Sequence, residues 1–203
     1  KDVVKNERLE RYDNQPYGLA WEILNTNLYL ENHPYSWSTI GFLKDIESYT
    51  LDDVKDFFRN YYSPNNACLV VAGDFENEDA NILLEKYFGS IEPFNSNHKP
   101  AAIKPVLKSN IFVEHKDNVQ LDRIYLAWHS DFIFGKNDSS LEVAADILTG
   151  SKNSRLYKKL VFDLQIAQDV TAFQHSGKFG GQFMIVSTAR PGIKLDQIKE
   201  IIL

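Results

Sequence analysis

Apolar residues recur at helical spacing over much of the chain. The clearest helix follows Thr50, where Asp53 three residues later predicts a capping box. Beyond this start, apolar side chains recur at i, i+3, i+4, i+7 and i+8: Val54, Phe57, Phe58, Tyr61 and Tyr62. Because such a stripe is typical of a helix that packs on a core, we expect these side chains to be buried.

Shorter apolar runs and alternating patterns predict strands. An apolar run at residues 67–72 ends at Gly73-Asp74 and predicts a buried strand. Four further stretches have strand character: 111–114, 121–129, 167–174 and 182–189. Because the last two flank Ser176-Gly177-Lys178, they predict a pair of strands joined by a turn.

The order of these patterns predicts an α+β protein with two segments. Residues 93–106 lack helical periodicity and hold three of the chain's seven prolines, which is typical of a linker. We therefore expect a first domain at residues 1–92 and a second at residues 107–203. Each domain is expected to pack its helices on one face of a mainly antiparallel sheet.

Composition excludes several classes of protein. The formal net charge of −6 gives no basic footprint for nucleic acid, and no apolar run approaches the roughly 20 residues of a membrane span. The single cysteine, Cys68, lies in an apolar run and is expected to be a core residue. Each histidine is isolated in sequence. We expect His98, in the linker, to be solvated, and we expect a structural role rather than metal ligation for His33, His115, His129 and His175.

Candidate chemistry is concentrated in the first helix, where Glu7 falls between Val3 and Val4 on the helical wheel. A carboxylate flanked by valines is expected to face inward, and it then needs a cation, N–H donors or a metal as its partner. The alternative interpretation is a solvated i,i+4 ion pair between Glu7 and Arg11, worth a few tenths of a kcal/mol.

Three stretches resemble the pitrilysin/insulinase family of zinc peptidases, most closely its shorter processing-peptidase-like bacterial members. They read DVVKNERLERYDNQPYG, NHPYSWSTIG and YYSPNNACLVVAGDF. A fourth, GSKNSRLYKKLVFDLQIAQDVTAFQ, is similar to the family's G-x-x-S-R-L-[FY]-x-x-L pattern, with one extra residue after the glycine. Together the resemblances span nearly all of the chain.

The resemblance implies a zinc site with Glu7 as its third protein ligand. The family's other two ligands lie in an inverted H-x-x-E-H motif, and no such motif occurs in these 203 residues. The resemblance therefore implies a fragment of a longer zinc endopeptidase that cleaves peptides in a clam-like chamber. By itself this fragment is expected to bind no catalytic zinc and to be inactive, and the compartment stays open between bacterial periplasm and cytoplasm.

Family members also carry an Arg and a Tyr that hold the substrate from the opposite half of the chamber. Aligned on Ser154-Arg155, those positions are Val161 and Gln168, and neither has the expected side chain. Two explanations stay open for these positions. The segment simply packs, with Val161 extending the apolar stripe of Tyr157, Leu160 and Leu164, or, as the resemblance implies, a second domain pair or subunit supplies the Arg and the Tyr. Two alternatives stay open: a non-catalytic partner subunit of the same family, and an α+β scaffold of unknown role.

Overall fold

A computed structural model describes residues 1–29, 31–94 and 105–203 of the chain. By their contacts these residues form two units. The sheet unit comprises Lys1–Phe42 and the described residues from 105 onward, and the helical unit comprises the described residues from Leu43 to 94. Most of the expected linker lies outside the described residues, so a domain boundary at 93–106 stays a prediction.

The sheet unit contains three antiparallel strands, β1 Arg123–Ser130, β2 Ala167–Gly177 and β3 Gly180–Ala189. Their order is β1-β3-β2, with β3 in the centre. In the register, Ile185 of β3 lies opposite Leu126 on one side and Ala172 on the other. The strands predicted at 121–129, 167–174 and 182–189 are therefore confirmed, as is the α+β fold class.

Helices α6 Asp138–Thr149, α7 Arg155–Tyr157 and α8 Leu195–Ile202 contribute to the core on one face of this sheet. A π-helical turn, Lys158–Asp163, continues α7. The buried core combines residues from these helices and from two strands: Ala145, Leu156, Leu160, Ala167, Val170, Ala172, Ile185, Ala189 and Ile198. Alternation along β2 and β3 places these strand residues on the helix side, as the period of two predicts.

The sheet unit also contains the chain's first two helices, α1 Asp2–Arg8 and α2 Ala20–Leu28. A π-helical segment, Leu9–Asp13, continues α1. Helix α2 contacts the opposite face of the sheet, where the Trp21 ring lies 5.9 Å from that of Phe173. Thus the sheet has helices against both faces.

Tyr17 fixes the connection between α1 and α2. Its φ of 61° is in the left-handed region, which an L-residue occupies only when its surroundings hold it there. The Tyr17 N–H donates to Asp117 at 2.8 Å, its hydroxyl donates to the Leu121 carbonyl at 2.6 Å, and the Arg123 guanidinium lies 3.7 Å from its ring centre. The turn after α1 is therefore anchored to the segment before β1.

The helical unit contains α3 Leu43–Ser48, α4 Leu51–Tyr61, a 3₁₀ turn Pro64–Asn66 and α5 Asn77–Phe88. The capping box of Thr50 and Asp53 is confirmed, with both reciprocal bonds present. The predicted burial of the α4 stripe is wrong, because Phe57 is 56% exposed and its neighbours in the stripe are exposed too. Periodicity defines which face of a helix is apolar but not whether another element covers that face.

Two predicted strands are absent from the described structure. Residues 67–72 and 111–114 have no regular secondary structure, and Val70 and Phe112 are exposed. A strand needs a neighbour to pair its backbone N–H and C=O groups. In the described ranges, neither stretch has such a partner.

The longest described helices, α5 and α6, have 12 residues each. A helical span of a bilayer needs about 20 residues. No helix in residues 1–29, 31–94 or 105–203 is long and apolar enough to cross a membrane.

Candidate functional site

Glu7 lies in the last turn of α1, and its side chain is 44% exposed. Its Oε1 forms an ion pair with Arg11 Nε at 3.3 Å. This is the i,i+4 pair that was the alternative to an inward-facing carboxylate. The expectation that the Glu7 side chain faces inward is wrong. Val3, one of the two valines that predict a buried face there, is 79% exposed. The zinc role of Glu7 is a separate matter and stays a prediction.

The next residue, Arg8, is the buried charge of α1, with only 5% of its surface exposed. Its Nη1 and Nη2 donate to both carboxylate oxygens of Glu22 at 2.7 and 3.0 Å. Nη1 also donates to the Gly41 carbonyl at 2.6 Å, and Nη2 to Asp13 at 3.3 Å. The hydrogen bond to Glu22 is the main cause that raises the pKa of Arg8, so this guanidinium stays charged.

A catalytic zinc takes three protein ligands and leaves one position for water or substrate. Glu7 fits one of these roles, since its carboxylate is accessible and is held only by a half-exposed ion pair. Within the described ranges, no three residues among His, Cys, Asp and Glu come together as a metal site. The described part of the chain therefore fits one ligand of a zinc site and not a whole site.

Two of the histidines belong to an aromatic cluster that joins the end of α2 to β1. The His33 ring is fully buried, stacks on Tyr29 at 4.6 Å and accepts a hydrogen bond at Nδ1 from the Tyr35 N–H at 3.1 Å. His129 Nε2 lies 2.7 Å from the Leu28 carbonyl oxygen. Burial, followed by the neighbouring Tyr35, raises the pKa of Tyr29 to about 12. These contacts agree with the structural role expected for both histidines.

The remaining candidates lie apart from Glu7 in sequence, and those in the described ranges do not join it in a metal-binding group. His115 and His175 are exposed, and His98 lies outside the described residues. Cys68 is exposed, so the expectation that it is a core residue is wrong. Because residues 67–72 do not form the predicted strand, nothing in the described structure encloses this thiol.

The segment that aligns with the family's Arg and Tyr positions serves the core of the sheet unit. Val161 is half-buried and packs against the core cluster, which extends the apolar stripe of Leu156 and Leu160. Gln168 and Arg155 are exposed. The structure thus gives Val161 a packing role and places no hydrogen-bond donor at its position.

A shallow depression of 630 Å³ lies between the end of β1 and the start of α6. The rings of Trp128 and Phe183 and the side chain of Leu141 form its apolar part, and Asp131 and Asn137 are polar lining residues. Glu7 does not line it. This depression therefore brings no additional zinc ligand to Glu7.

Sequence reasoning missed the buried ion pair of Arg8 and Glu22. The two residues are 14 positions apart and lie on different helices, so no helical period relates them. The available signal in the sequence was the turn predicted at Pro16 and Gly18, which brings α2 back beside α1. A Cβ at Gly18 would lie 2.0 Å from the Tyr12 carbonyl oxygen, so this close turn requires glycine there.

Comparison with known proteins gives a consistent set of relatives. A family model described as the peptidase M16 inactive domain matches residues 48–203. The chain is 30% identical over 208 residues to the zinc protease PqqE of Helicobacter pylori, which covers 100% of this chain and 46% of that protein. It is 25% identical over 204 residues to the uncharacterized zinc protease YmxG of Bacillus subtilis, covering 100% of this chain and 48% of that protein.

Solved structures show the same fold. A protease from Helicobacter pylori superposes with a TM-score of 0.81 at 29% identity, covering 99% of this chain and 49% of that one. A peptidase M16 inactive domain from Pseudomonas fluorescens has a TM-score of 0.80 at 20% identity, covering 99% and 50%, and at that identity it supports the fold alone. The chain spans about half the length of the relatives that it matches.

Proposed function

Because this chain belongs to the peptidase M16 family, we propose that it is part of a zinc-dependent endopeptidase in which Glu7 is one protein ligand of the catalytic zinc. The observation that carries the proposal is the position of Glu7. In sequence it stands where the resemblance of DVVKNE to the family's zinc segment implies the third ligand, and its carboxylate is accessible. The relatives named zinc proteases support the same reaction class.

In this proposal the chain contributes a single oxygen ligand with a negative charge. Zinc, when bound, supplies a coordinated water of lowered pKa and polarises the scissile carbonyl. The two histidine ligands and the general base come from an H-x-x-E-H helix in a longer protein that contains this chain. To bind the metal, the Glu7 carboxylate has to give up its ion pair with Arg11. The free-energy cost is small, because exposed ion pairs are worth less than about 1 kcal/mol.

We also propose that the substrate is a peptide enclosed between two halves, and that the half containing this chain supplies zinc. The substrate-holding Arg and Tyr come from the other half or from a separate subunit. Support comes from Val161 and Gln168, which lack those side chains at the aligned positions. Developing charge on a scissile carbonyl needs hydrogen-bond donors, so this half should work only together with its partner.

The proposed division of the chain follows the same scheme. Residues 1–92 are the back of the zinc-bearing domain, 93–106 the linker and 107–203 the front of a second family domain. The proline-rich composition of the linker supports this division. Limited proteolysis of the longer protein should cut first within 93–106, and a first cut inside β2 or β3 would contradict it.

The activity is tested with a fluorogenic peptide and the longer protein. Hydrolysis should disappear when 1,10-phenanthroline removes zinc and should return when zinc is added back. The lone zinc-bearing half should stay nearly inactive until the partner half is mixed in. Hydrolysis that survives complete zinc removal would contradict the metallopeptidase proposal, and full activity of the lone half would contradict the division of labour.

One observation favours a second candidate, a non-catalytic partner subunit of the same family. The family model that matches residues 48–203 is described as an inactive domain. Under this alternative the upstream sequence lacks H-x-x-E-H and the longer protein hydrolyses no peptide on its own. Sequencing the upstream region separates the two candidates, since an intact H-x-x-E-H supports the enzyme.

A further inference from the structure

Two arginines near Glu7 lie in very different surroundings, Arg8 at the end of α1 and Arg11 on its π-helical continuation. Arg11 contacts the Glu7 carboxylate itself and is 72% exposed, whereas Arg8 does not contact it and is buried. Exposed pairs such as Arg11–Glu7 change partner readily. A buried, bidentate guanidinium–carboxylate pair is directional and strongly resists rotation. Arg8 is therefore able to hold α1 in one orientation.

The Arg8 clamp consists of Arg8, Glu22, Asp13 and the Gly41 carbonyl, and it ties three parts of the chain to α1. Glu22 lies on α2, Asp13 lies on the π-helical continuation of α1, and Gly41 lies just before α3. Ser38 donates a further hydrogen bond to Glu22 at 3.4 Å. Four directional bonds from one guanidinium fix both the rotation and the axial position of the last turn of α1.

Successive residues of a helix are separated by about 100° around its axis. Fixing the side chain of Arg8 therefore fixes the direction in which the Glu7 side chain leaves the helix. Stability alone does not explain this arrangement, because a buried ion pair is often no more stabilising than well-packed apolar residues of similar size. What an apolar pair lacks is the directional hold.

We propose that Arg8 is the positioning residue for Glu7, and that the Arg8 clamp sets the direction in which the Glu7 carboxylate is presented to zinc. This inference rests on the proposed function of Glu7. Zinc ligands commonly depend on partners beyond the ligands themselves, and loss of such a partner costs about 10- to 100-fold in metal affinity. Arg8 would play this part through the helix and without touching either zinc or substrate.

The test measures zinc affinity of the longer protein by competition with a chromophoric chelator. Arg8→Gln and Glu22→Gln should each weaken zinc binding about 10- to 100-fold. Arg8→Lys keeps the positive charge but lacks the planar guanidinium that binds both carboxylate oxygens of Glu22. It should therefore keep only part of the wild-type zinc affinity. Arg59→Gln is the matched control, because it removes an arginine from an exposed ion pair with Asp56, and its zinc affinity should equal that of the wild type.

A second variant keeps the test decisive if a single substitution prevents folding. Arg8→Met combined with Glu22→Leu replaces the ion pair by apolar side chains of similar size, which proteins often tolerate without loss of stability. A positioning role predicts that this folded double variant still binds zinc at least about 10-fold more weakly. Wild-type zinc affinity in the folded double variant would overturn the proposal and show that Arg8 only stabilises the fold.

The result is distinguishable from failure of the proposed function. If Glu7→Gln loses zinc while the double variant binds it normally, the Arg8 proposal is wrong and Glu7 remains a ligand. If Glu7→Gln keeps its zinc, the proposed function itself is wrong, and the Arg8 proposal is overturned with it.

Discussion

In the sheet unit, α6, α7 and α8 cover one face of three strands, and Leu160 and Ile198 are fully buried. In the helical unit, α4 has an apolar stripe of the same spacing, but Phe57 and Tyr62 are exposed. Each helix follows from the same periodic signal in the sequence. The comparison shows that a stripe identifies the face that can be buried, whereas burial itself depends on a second apolar surface in contact with it.

The largest expected effect separates the two units directly. Leu160→Ala should lower the free energy of unfolding by about 2–5 kcal/mol, because it leaves a cavity in a closed core. Phe57→Ala should change it by less than about 0.5 kcal/mol, because an exposed ring loses few contacts. Urea denaturation of the 203-residue chain measures both, and equal losses for the two variants would refute the contrast in burial.

A smaller effect concerns the buried aromatic cluster of the sheet unit. The pKa of Tyr29 is raised from 10.0 to about 12, so the neutral phenol is favoured in the folded state. The stability that this neutral phenol contributes is complete below pH 10 and is lost as the pH rises toward about 12, a decrease on the order of 3 kcal/mol. Tyr29→Phe should remove this part of the alkaline loss. If wild type and Tyr29→Phe lose stability identically as the pH rises, Tyr29 does not cause this part of the alkaline loss.

In the helical unit the expected effect is smaller and local. Thr50→Ala removes the hydroxyl that accepts from the Asp53 N–H but keeps the Thr50 N–H that donates to the Asp53 carboxylate. Loss of the hydroxyl cap should cost about 1 kcal/mol, which corresponds to roughly five-fold faster amide exchange in α4. The control is Lys55→Ala, which removes an exposed pair with Asp52 and should change exchange only slightly. If Lys55→Ala accelerates exchange as much as Thr50→Ala, the start of α4 does not depend on its cap.

The sequence predicted local structure well where one segment determines its own conformation. The capping box of Thr50 and the alternation along β2 and β3 depend on neighbours in sequence, and both are present. Residues 67–72 were predicted as a strand from an apolar run, but a strand also needs a partner from elsewhere. Local signals therefore sufficed for helices and for the hairpin, and they failed for paired elements without a described partner.

The candidate site shows the same limit at the level of single side chains. The family resemblance identified Glu7, but helical periodicity gave it the wrong direction, since two flanking valines do not show which face is covered. The buried charge proved to be Arg8, whose partner Glu22 lies on another helix. Pairing across helices depends on their relative packing, which the spacing of residues in one helix does not encode.

The central claim is that Glu7 is a zinc ligand, and the zinc content of the longer protein tests it most directly. Elemental analysis should find about one zinc per molecule of wild type and of Glu10→Gln, a control that removes a neighbouring exposed carboxylate from the same helical stretch. Glu7→Gln should retain only a small fraction of that zinc and should remain folded, because its side chain makes only an exposed ion pair. Full zinc occupancy in folded Glu7→Gln would contradict the account.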